Sequence, residues 1–334
     1  MCTAISYKTR NHYFGRNLDL DYSLEESIIV MPRNFSFPLR YATLPENRFA
    51  MIGAGIIRED IPLFYDATNE KGLSMAGLSF VGNAVYSELS DTLINIAPFE
   101  LIPWVLLQCE TVRQAKALIE NTNISHIDFS KELPCAELHW MISDDRESLV
   151  LECTAEGTKL YDNPIGVLTN NPPFPMQMFN LNNYMSLTNQ PPVNTFCKSL
   201  PLKEYSRGMG AIGLPGDLSS ASRFVRASFN KMNSVYLNSE NKRVSQFFHL
   251  LYSVYQTRGA VQLKGGAYEH TVYSSCCNTR KGIYYYTTYD NSTITAIDMK
   301  KENLDSELLA VYPMETEGRI IFGNREEAVP KALQ

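Results

Sequence analysis

The chain opens MCTAISYKTRNHYFGRNLD, residues 1–19, and the second position of that stretch carries the most chemical information. Cys2 follows Met1, and so small a second residue makes Met1 a target for removal during maturation. Cys2 would then hold a thiol and a free α-amine on one residue. An α-amine titrates at roughly 7.7–8.0 and a thiol near about 8.5, so base and nucleophile are matched around neutral pH. An N-terminal nucleophile needs that pairing, because the chain's own terminus activates the attacking atom. A lone cysteine is a weak catalytic signal. The rest of the chain must supply a thiolate stabiliser, a partner for the amine and donors for an oxyanion.

The same stretch offers Arg16 and Asp19 within Gly15-Arg16-Asn17-Leu18-Asp19. An arginine near the thiol favours thiolate, and a carboxylate holds the amine or ammonium. A strictly extended strand places 16 and 19 on opposite faces, so joint action is expected to need a bend. Arg223 falls in the first turn of a helix that Ser219 or Ser220 caps, and it lies off that helix's apolar stripe. A cation there is disfavoured by roughly 0.3–1 kcal/mol, which points to an anionic partner. Asn170 ends a strand in Thr169-Asn170-Asn171-Pro172-Pro173. A side-chain amide at that place can donate to a developing oxyanion, although Asn near Pro also reads as a turn.

Further out, short apolar or alternating runs predict strands over 3–7, 13–16, 27–32, 49–53 and 73–80. Thr111 and Gln114 form a capping box, and Val112, Ala115 and Ile119 then recur at helical spacing. Strands are predicted over 138–143 and 149–154 around the turn Asp144-Asp145-Arg146-Glu147, with another ending over 166–170. Two apolar stripes predict helices, one through Ala221, Phe224, Val225, Phe229 and Met232, the other from Val244 to Tyr255. Strands return over 268–274, 282–289 and 292–298. Strands, then helices, then strands imply a layered α+β fold rather than alternating βαβ units.

Composition sets the outer bounds. Of 334 residues, 44% are hydrophobic and 20% charged, which gives an ample core. The net charge of −6 excludes a sequence-wide basic footprint for nucleic acid. No run approaches the ~18 apolar residues of a membrane span, and the first residues lack the pattern of a secretory signal. The 7 cysteines form no disulfide framework, and the 5 histidines lie far from zinc spacings, so free thiols, no metal and a cytoplasmic location are expected. The glycine-rich run 208–217 lacks the Lys-Ser/Thr ending of a phosphate loop and reads as a connection.

The ordered motifs are MCTAI at 1–5, YFGRNLD at 13–19, MPRNF at 31–35, NEKGLSMAGLSF at 69–80, LHWMISD at 138–144, DNPIGVLTNNP at 162–172, GLPGDLSSASRFVR at 213–226 and KGIYYYTTYDN at 281–291. With them the chain resembles, end to end, the choloylglycine hydrolases, a family of conjugated bile salt hydrolases and penicillin V acylases. It is most similar to the bile salt hydrolases of gut lactic-acid bacteria. The resemblance implies a four-layer αββα sandwich of the N-terminal nucleophile type, forming one domain over 1–334 with Met1 removed. It also implies cofactor-free amidase chemistry on glycine- or taurine-conjugated bile salts, in a homotetramer.

By the same resemblance Cys2 is the nucleophile, Arg16 the arginine beside the thiol and Asp19 the aspartate that orients the amine. Asn170 is the side-chain oxyanion donor, the backbone N–H of Ser79 the second donor, and Arg223 the second arginine. Leu18, Phe129 and Leu133 are expected to wall the substrate pocket. The sequence departs from the family at Gly77-Leu78-Ser79, where bile salt hydrolases usually have Gly-Leu-Asn and the penicillin-cleaving branch tends to have Tyr. A backbone donor survives that change, so altered rather than abolished activity is expected. The alternatives are a penicillin V acylase and a non-catalytic binder of bile acids or acyl compounds. An internal cysteine working with His139 or His249 has no motif to support it.

Overall fold

The computed structural model describes residues 1–46 and 48–324; the expected domain over 1–334 therefore reaches, at 47 and 325–334, outside the described residues. A tight turn folds β1 (Cys2–Lys8) back on β2 (His12–Leu20), pairing Cys2 with Leu18 and Ala4 with Arg16. Then come β3 (Ser27–Met31), β4 (Met51–Arg58), β5 (Ile61–Asn69) and β6 (Ser74–Ser79). A short parallel pair, β7 (Ile94–Ile96) and β8 (Thr122–Ile124), brackets α1 (Leu101–Leu106) and α2 (Val112–Ile119). The strands β9 (Leu138–Ser143), β10 (Ser148–Thr154), β11 (Gly157–Asp162) and β12 (Val167–Leu168) follow. The helices α3 (Phe174–Asn180), α4 (Ser220–Asn233) and α5 (Glu240–Tyr252) come next. Last are β13 (Val261–Gln262), β14 (Tyr268–Asn278), β15 (Ile283–Thr288), β16 (Thr295–Asp298) and β17 (Ala310–Pro313).

The strands form two large antiparallel sheets. One runs β12-β1-β2-β14-β15-β16, with β13 beside β14; the other runs β11-β10-β9-β6-β5-β4-β3-β17. They pack face to face where β1 and β2 meet β5 and β6. The helices α4 and α5 cover the first sheet, and α1 and α2 cover the second, giving the αββα order expected. One apolar core lies between the sheets and under α4 and α5, with Phe14, Ala76, Met141 and Phe247 among its members. A second, around Trp140, Met75, Leu101 and Val105, lies under α1 and α2. Because both faces of the central strands are covered, β1 and β2 are buried almost throughout instead of alternating with solvent. Among the described residues no helix is long and apolar enough to cross a membrane.

Several expectations need correction. Both β5 and β11 were absent from the sequence reading: Pro62 and Asp66 break the apolar run of β5, and β11 is an exposed edge strand. The strand expected over 49–53 starts at Met51 and continues to Arg58. At α2, Thr111 accepts from the Gln114 N–H, but the Gln114 side chain reaches the Glu110 N–H, so only half of the capping box forms.

Far from Cys2, a hydroxyl chain ties the sheets together. His12 contacts Ser6 Oγ at 2.8 Å and Thr279 Oγ1 at 3.1 Å, and Ser143 of the second sheet donates to Ser6 at 2.8 Å. Burial, reinforced by the Lys8 charge, lowers the His12 pKa from 6.5 to about 4. Between those values the unfolded chain binds a proton that the native imidazole refuses, so stability present above about pH 6.5 is lost as pH falls towards 4. The lowering corresponds to about 3 kcal/mol. Urea midpoints measured from pH 7 to pH 4 are expected to fall less steeply for His12→Gln than for the wild type. An identical slope would show that His12 does not titrate in this way.

Candidate active site

Strand geometry sorts the candidate residues onto two faces. Ser6 meets Ser143 across the sandwich, so Ala4 and Cys2, on the same side of β1, also face the second sheet. Thr3 faces α4 instead, where its hydroxyl accepts from Arg223 at 2.7 Å. Cys2 is buried, and Leu18 lies beside it across the strand pair.

Arg16, opposite Ala4, shares the thiol's face. Its Nη1 donates to Gly77 O at 2.6 Å and Tyr65 O at 2.9 Å, while Nη2 has no hydrogen-bond partner among the described residues. Burial works against this guanidinium, but the Cys2 thiol, Tyr273 and Asp66 outweigh it and raise its pKa. Asp66 accepts from Tyr273 at 2.7 Å and Tyr284 at 2.6 Å; its own pKa is raised by burial despite Arg16. A fixed cation therefore stands on the thiol's side of β1.

Asp19 stands on the opposite face, under α5 and the loop after it. Its carboxylate accepts from Thr271 at 2.6 Å and Gln256 at 3.0 Å, and lies 4.0 Å from Arg223 Nη1. Burial raises its pKa, against the pull of Arg223. The bend expected between 16 and 19 is unnecessary. The two residues serve different sides of Cys2, the thiol and the backbone, and so need not converge.

Arg223 is fully buried and has the anionic partner that its place in the helix demanded. Ser219, not Ser220, caps the helix, accepting from the Ser222 N–H. The guanidinium donates to Cys2 O at 2.6 Å, Asn170 Oδ1 at 2.7 Å and Leu218 O at 3.0 Å. Burial lowers its pKa, opposed by Asp19 and then Cys2.

Asn170 is the junction of the site. Its Oδ1 accepts from the Cys2 N–H at 2.9 Å as well as from Arg223, and its Nδ2 donates to Ser79 O at 2.7 Å. An amide nitrogen carries two hydrogens, so one remains for an oxyanion. The Phe80 N–H donates to Glu137 O, just before β9, so by alternation the N–H and C=O of Ser79 point to the other edge, towards Asn170. There β5 no longer competes, since its pairing with β6 ends at Ala76. The Ser79 side chain, opposite Leu138, shares the outer face with Gly77, where an added Cβ would meet Trp140. Position 79 meets the site through its backbone.

Met1 is attached in this structure and extends β1 by one residue. Its ammonium donates to Asp19 O at 2.8 Å and pairs with Glu269 at 2.9 Å, while its carbonyl accepts from the Asp19 N–H at 2.9 Å. The Cys2 nitrogen is an amide here. Its acceptor is Asn170 rather than the Asp19 carboxylate.

The structure thus gathers Cys2, Leu18, Arg16, Asp19, Ser79, Asn170 and Arg223. It does not bring Phe129 and Leu133 into this cluster: Phe129 packs edge-on against Phe99 beside Arg40, and the Leu133 N–H bonds Ser130. Sequence reasoning missed Asp66, Thr271 and Gln256. Of these only Asp66 left a signal, a carboxylate inside an apolar run.

The sequence model of the linear amide C–N hydrolases, choloylglycine hydrolase family, matches residues 2–312. A bile salt hydrolase/transferase of Lactiplantibacillus plantarum is 50% identical over 96% of this chain and 98% of its own. One from Clostridium perfringens is 39% identical over 93% of this chain and 96% of its own. The crystal structure of a mutant conjugated bile acid hydrolase from Clostridium perfringens superposes with a TM-score of 0.89 at 38% identity, covering 97% of this chain and 100% of that one. A penicillin V acylase from Agrobacterium tumefaciens shares the fold, with a TM-score of 0.74 at 18% identity over 95% of each chain.

The resemblance makes the N–H of residue 79 an oxyanion donor, and on that reading substitutions there divide sharply. Ser79→Asn is expected to retain amide-cleaving kcat within about an order of magnitude, while Ser79→Pro, lacking the N–H, loses about 10²–10³-fold. Steady-state kinetics on folded variants checks this, and equal losses in both would remove the backbone of residue 79 from the site.

Proposed function

The chain belongs to the choloylglycine hydrolase family, and on that premise we propose that it hydrolyses the amide joining a bile acid to glycine or taurine. Removal of Met1 frees the Cys2 α-amine. The thiol transfers its proton to that amine and the sulfur attacks the amide carbonyl. A C–S bond forms, and the carbonyl's π electrons move onto oxygen, where Asn170 Nδ2 and the Ser79 N–H receive the charge. The α-ammonium then protonates the leaving nitrogen, the C–N bond breaks, and glycine or taurine departs. Water, deprotonated by the same amine, cleaves the resulting thioester and releases the bile acid.

In this reading Arg16 stabilises the thiolate, Asp19 and Arg223 fix the charge balance around the amine, and Leu18 borders the acyl group. The observation that carries it is Asn170, whose two amide ends contact the Cys2 nitrogen and Ser79 O. The names of the similar proteins from Lactiplantibacillus plantarum and Clostridium perfringens support bile salts as substrate. The reading includes a single cytoplasmic domain that assembles as a homotetramer, with Phe129 and Leu133 as walls for the steroid.

Release of glycine and taurine from conjugated bile salts is expected to exceed cleavage of penicillin V, and Cys2→Ala should lose all turnover. Intact mass should show the chain without Met1. Full activity of Cys2→Ala, or turnover by a chain that retains Met1, would overturn the mechanism; preference for penicillin V would reassign the substrate. Bile acid affinity without turnover in the mature wild type would make the protein a binder.

A further inference from the structure

Behind the oxyanion donors lies a buried ion-pair-like contact with no part in the chemistry above. His139 on β9 and Glu152 on β10 are both fully buried, with Nδ1 and Oε1 3.1 Å apart. His139 Nε2 is 2.9 Å from the carbonyl oxygen of Thr169, the residue before Asn170. That carbonyl can only accept, so Nε2 carries a hydrogen. Glu152 Oε1 also accepts from the Phe174 N–H at 2.9 Å. The pair therefore grips the segment 170–173 at both ends, Thr169 on one side and Phe174 on the other.

The same imidazole touches the neighbour of the second donor. The Phe80 ring stacks on His139 with centroids 4.2 Å apart and planes at 8°, and Phe80 directly follows Ser79. One rigid ring thus contacts the neighbour of Asn170 by a hydrogen bond and the neighbour of Ser79 by a stacked face. Asn170 Nδ2 also bonds Ser79 O directly and Asn171 Nδ2 bonds Val81 O, so His139 acts beside these links, whereas Ser220 Oγ on the Asn170 N–H and Gln177 on its carbonyl hold only the Asn170 segment. Oxyanion donors act through preorganisation: their spacing must be set before charge develops, and an error of a few tenths of an ångström weakens both bonds.

We propose that His139, held by Glu152, is the positioning residue that sets the distance between the Asn170 and Ser79 donors of the oxyanion hole. This rests on the amidase reading above. It makes no contact with substrate and assigns no proton transfer to the pair. Its effect is confined to the state in which the carbonyl oxygen bears charge.

His139→Phe keeps the ring stacked on Phe80 and deletes the bond to Thr169. Glu152→Leu deletes the contact with His139 Nδ1 and the acceptor for the Phe174 N–H, and decides the matter should the first variant fail to fold. His139→Gln can restore a donor to Thr169. All rates are expressed per reactive Cys2, measured by alkylation with iodoacetamide and mass spectrometry. We expect His139→Phe to lower kcat about 10²-fold, with KM within about threefold and the alkylation rate at Cys2 unchanged. Affinity for the aldehyde of the same acyl group, which adds the thiol to give a tetrahedral adduct, should fall in parallel with kcat. Affinity for the carboxylic acid product should stay constant, and His139→Gln should recover at least about tenfold in kcat.

A kcat within about twofold of wild type overturns the proposal, as does a loss shared by KM, alkylation and product affinity, which marks general disorder. The comparison is made on a glycine-conjugated bile salt or, if the wild type cleaves only penicillin V, on that amide. A wrong substrate class then shows in the wild type alone, and the ratios among variants still judge the positioning role.

Discussion

The burial of the Arg223 guanidinium constrains everything around Cys2. Removing such a cation from water costs several kcal/mol unless a counter-charge and hydrogen bonds replace the solvent. Here Asp19, the Cys2 carbonyl, the Thr3 hydroxyl, Asn170 and the Leu218 carbonyl supply them. These partners come from four separate parts of the chain, so satisfying one side chain fixes β1, β2, the segment after β12 and the start of α4 relative to one another. A site assembled this way is precise because any displacement leaves a buried charge with an unmade bond.

The two arginines divide the electrostatic work by face. Arg16 lies in the sandwich, above Asp66 and two phenols, where it meets the thiol side of Cys2. Arg223 lies under the helices with Asp19, where it meets the backbone side. A strand is suited to this arrangement, since its alternation delivers opposite environments to adjacent positions on a single scaffold. Thiol and amine can then be tuned separately, although they belong to one residue.

Much of this was legible in the sequence. The layered α+β class followed from the order of strand-like and helix-like runs, and the position of Arg223 in a first helical turn pointed to an anionic partner without excluding a solvated side chain. The motif resemblance named the residues that the structure gathers, and also two that it does not: Phe129, which packs against Phe99 and Arg40, and Leu133, whose N–H bonds Ser130. What stayed hidden was long-range pairing. Thr271, Gln256, Tyr273 and Glu152 are ordinary polar residues in strands and loops until the sheets bring them beside Asp19, Asp66 and His139. The face assigned to Asp19 was readable from strand period, but its meaning was not, because the covering helix was unknown at that point.

The position of Met1 carries a practical consequence. Its amide edges are engaged by the backbone of Asp19, so the first residue before Cys2 sits as an added rung of the β1–β2 ladder. A peptide fused ahead of Cys2 would continue from that rung in place of the ammonium that pairs with Glu269, and it would keep the Cys2 nitrogen acylated. On the proposed mechanism a purification tag at the amino terminus is therefore an inhibitor, unless a protease cuts it flush with the cysteine.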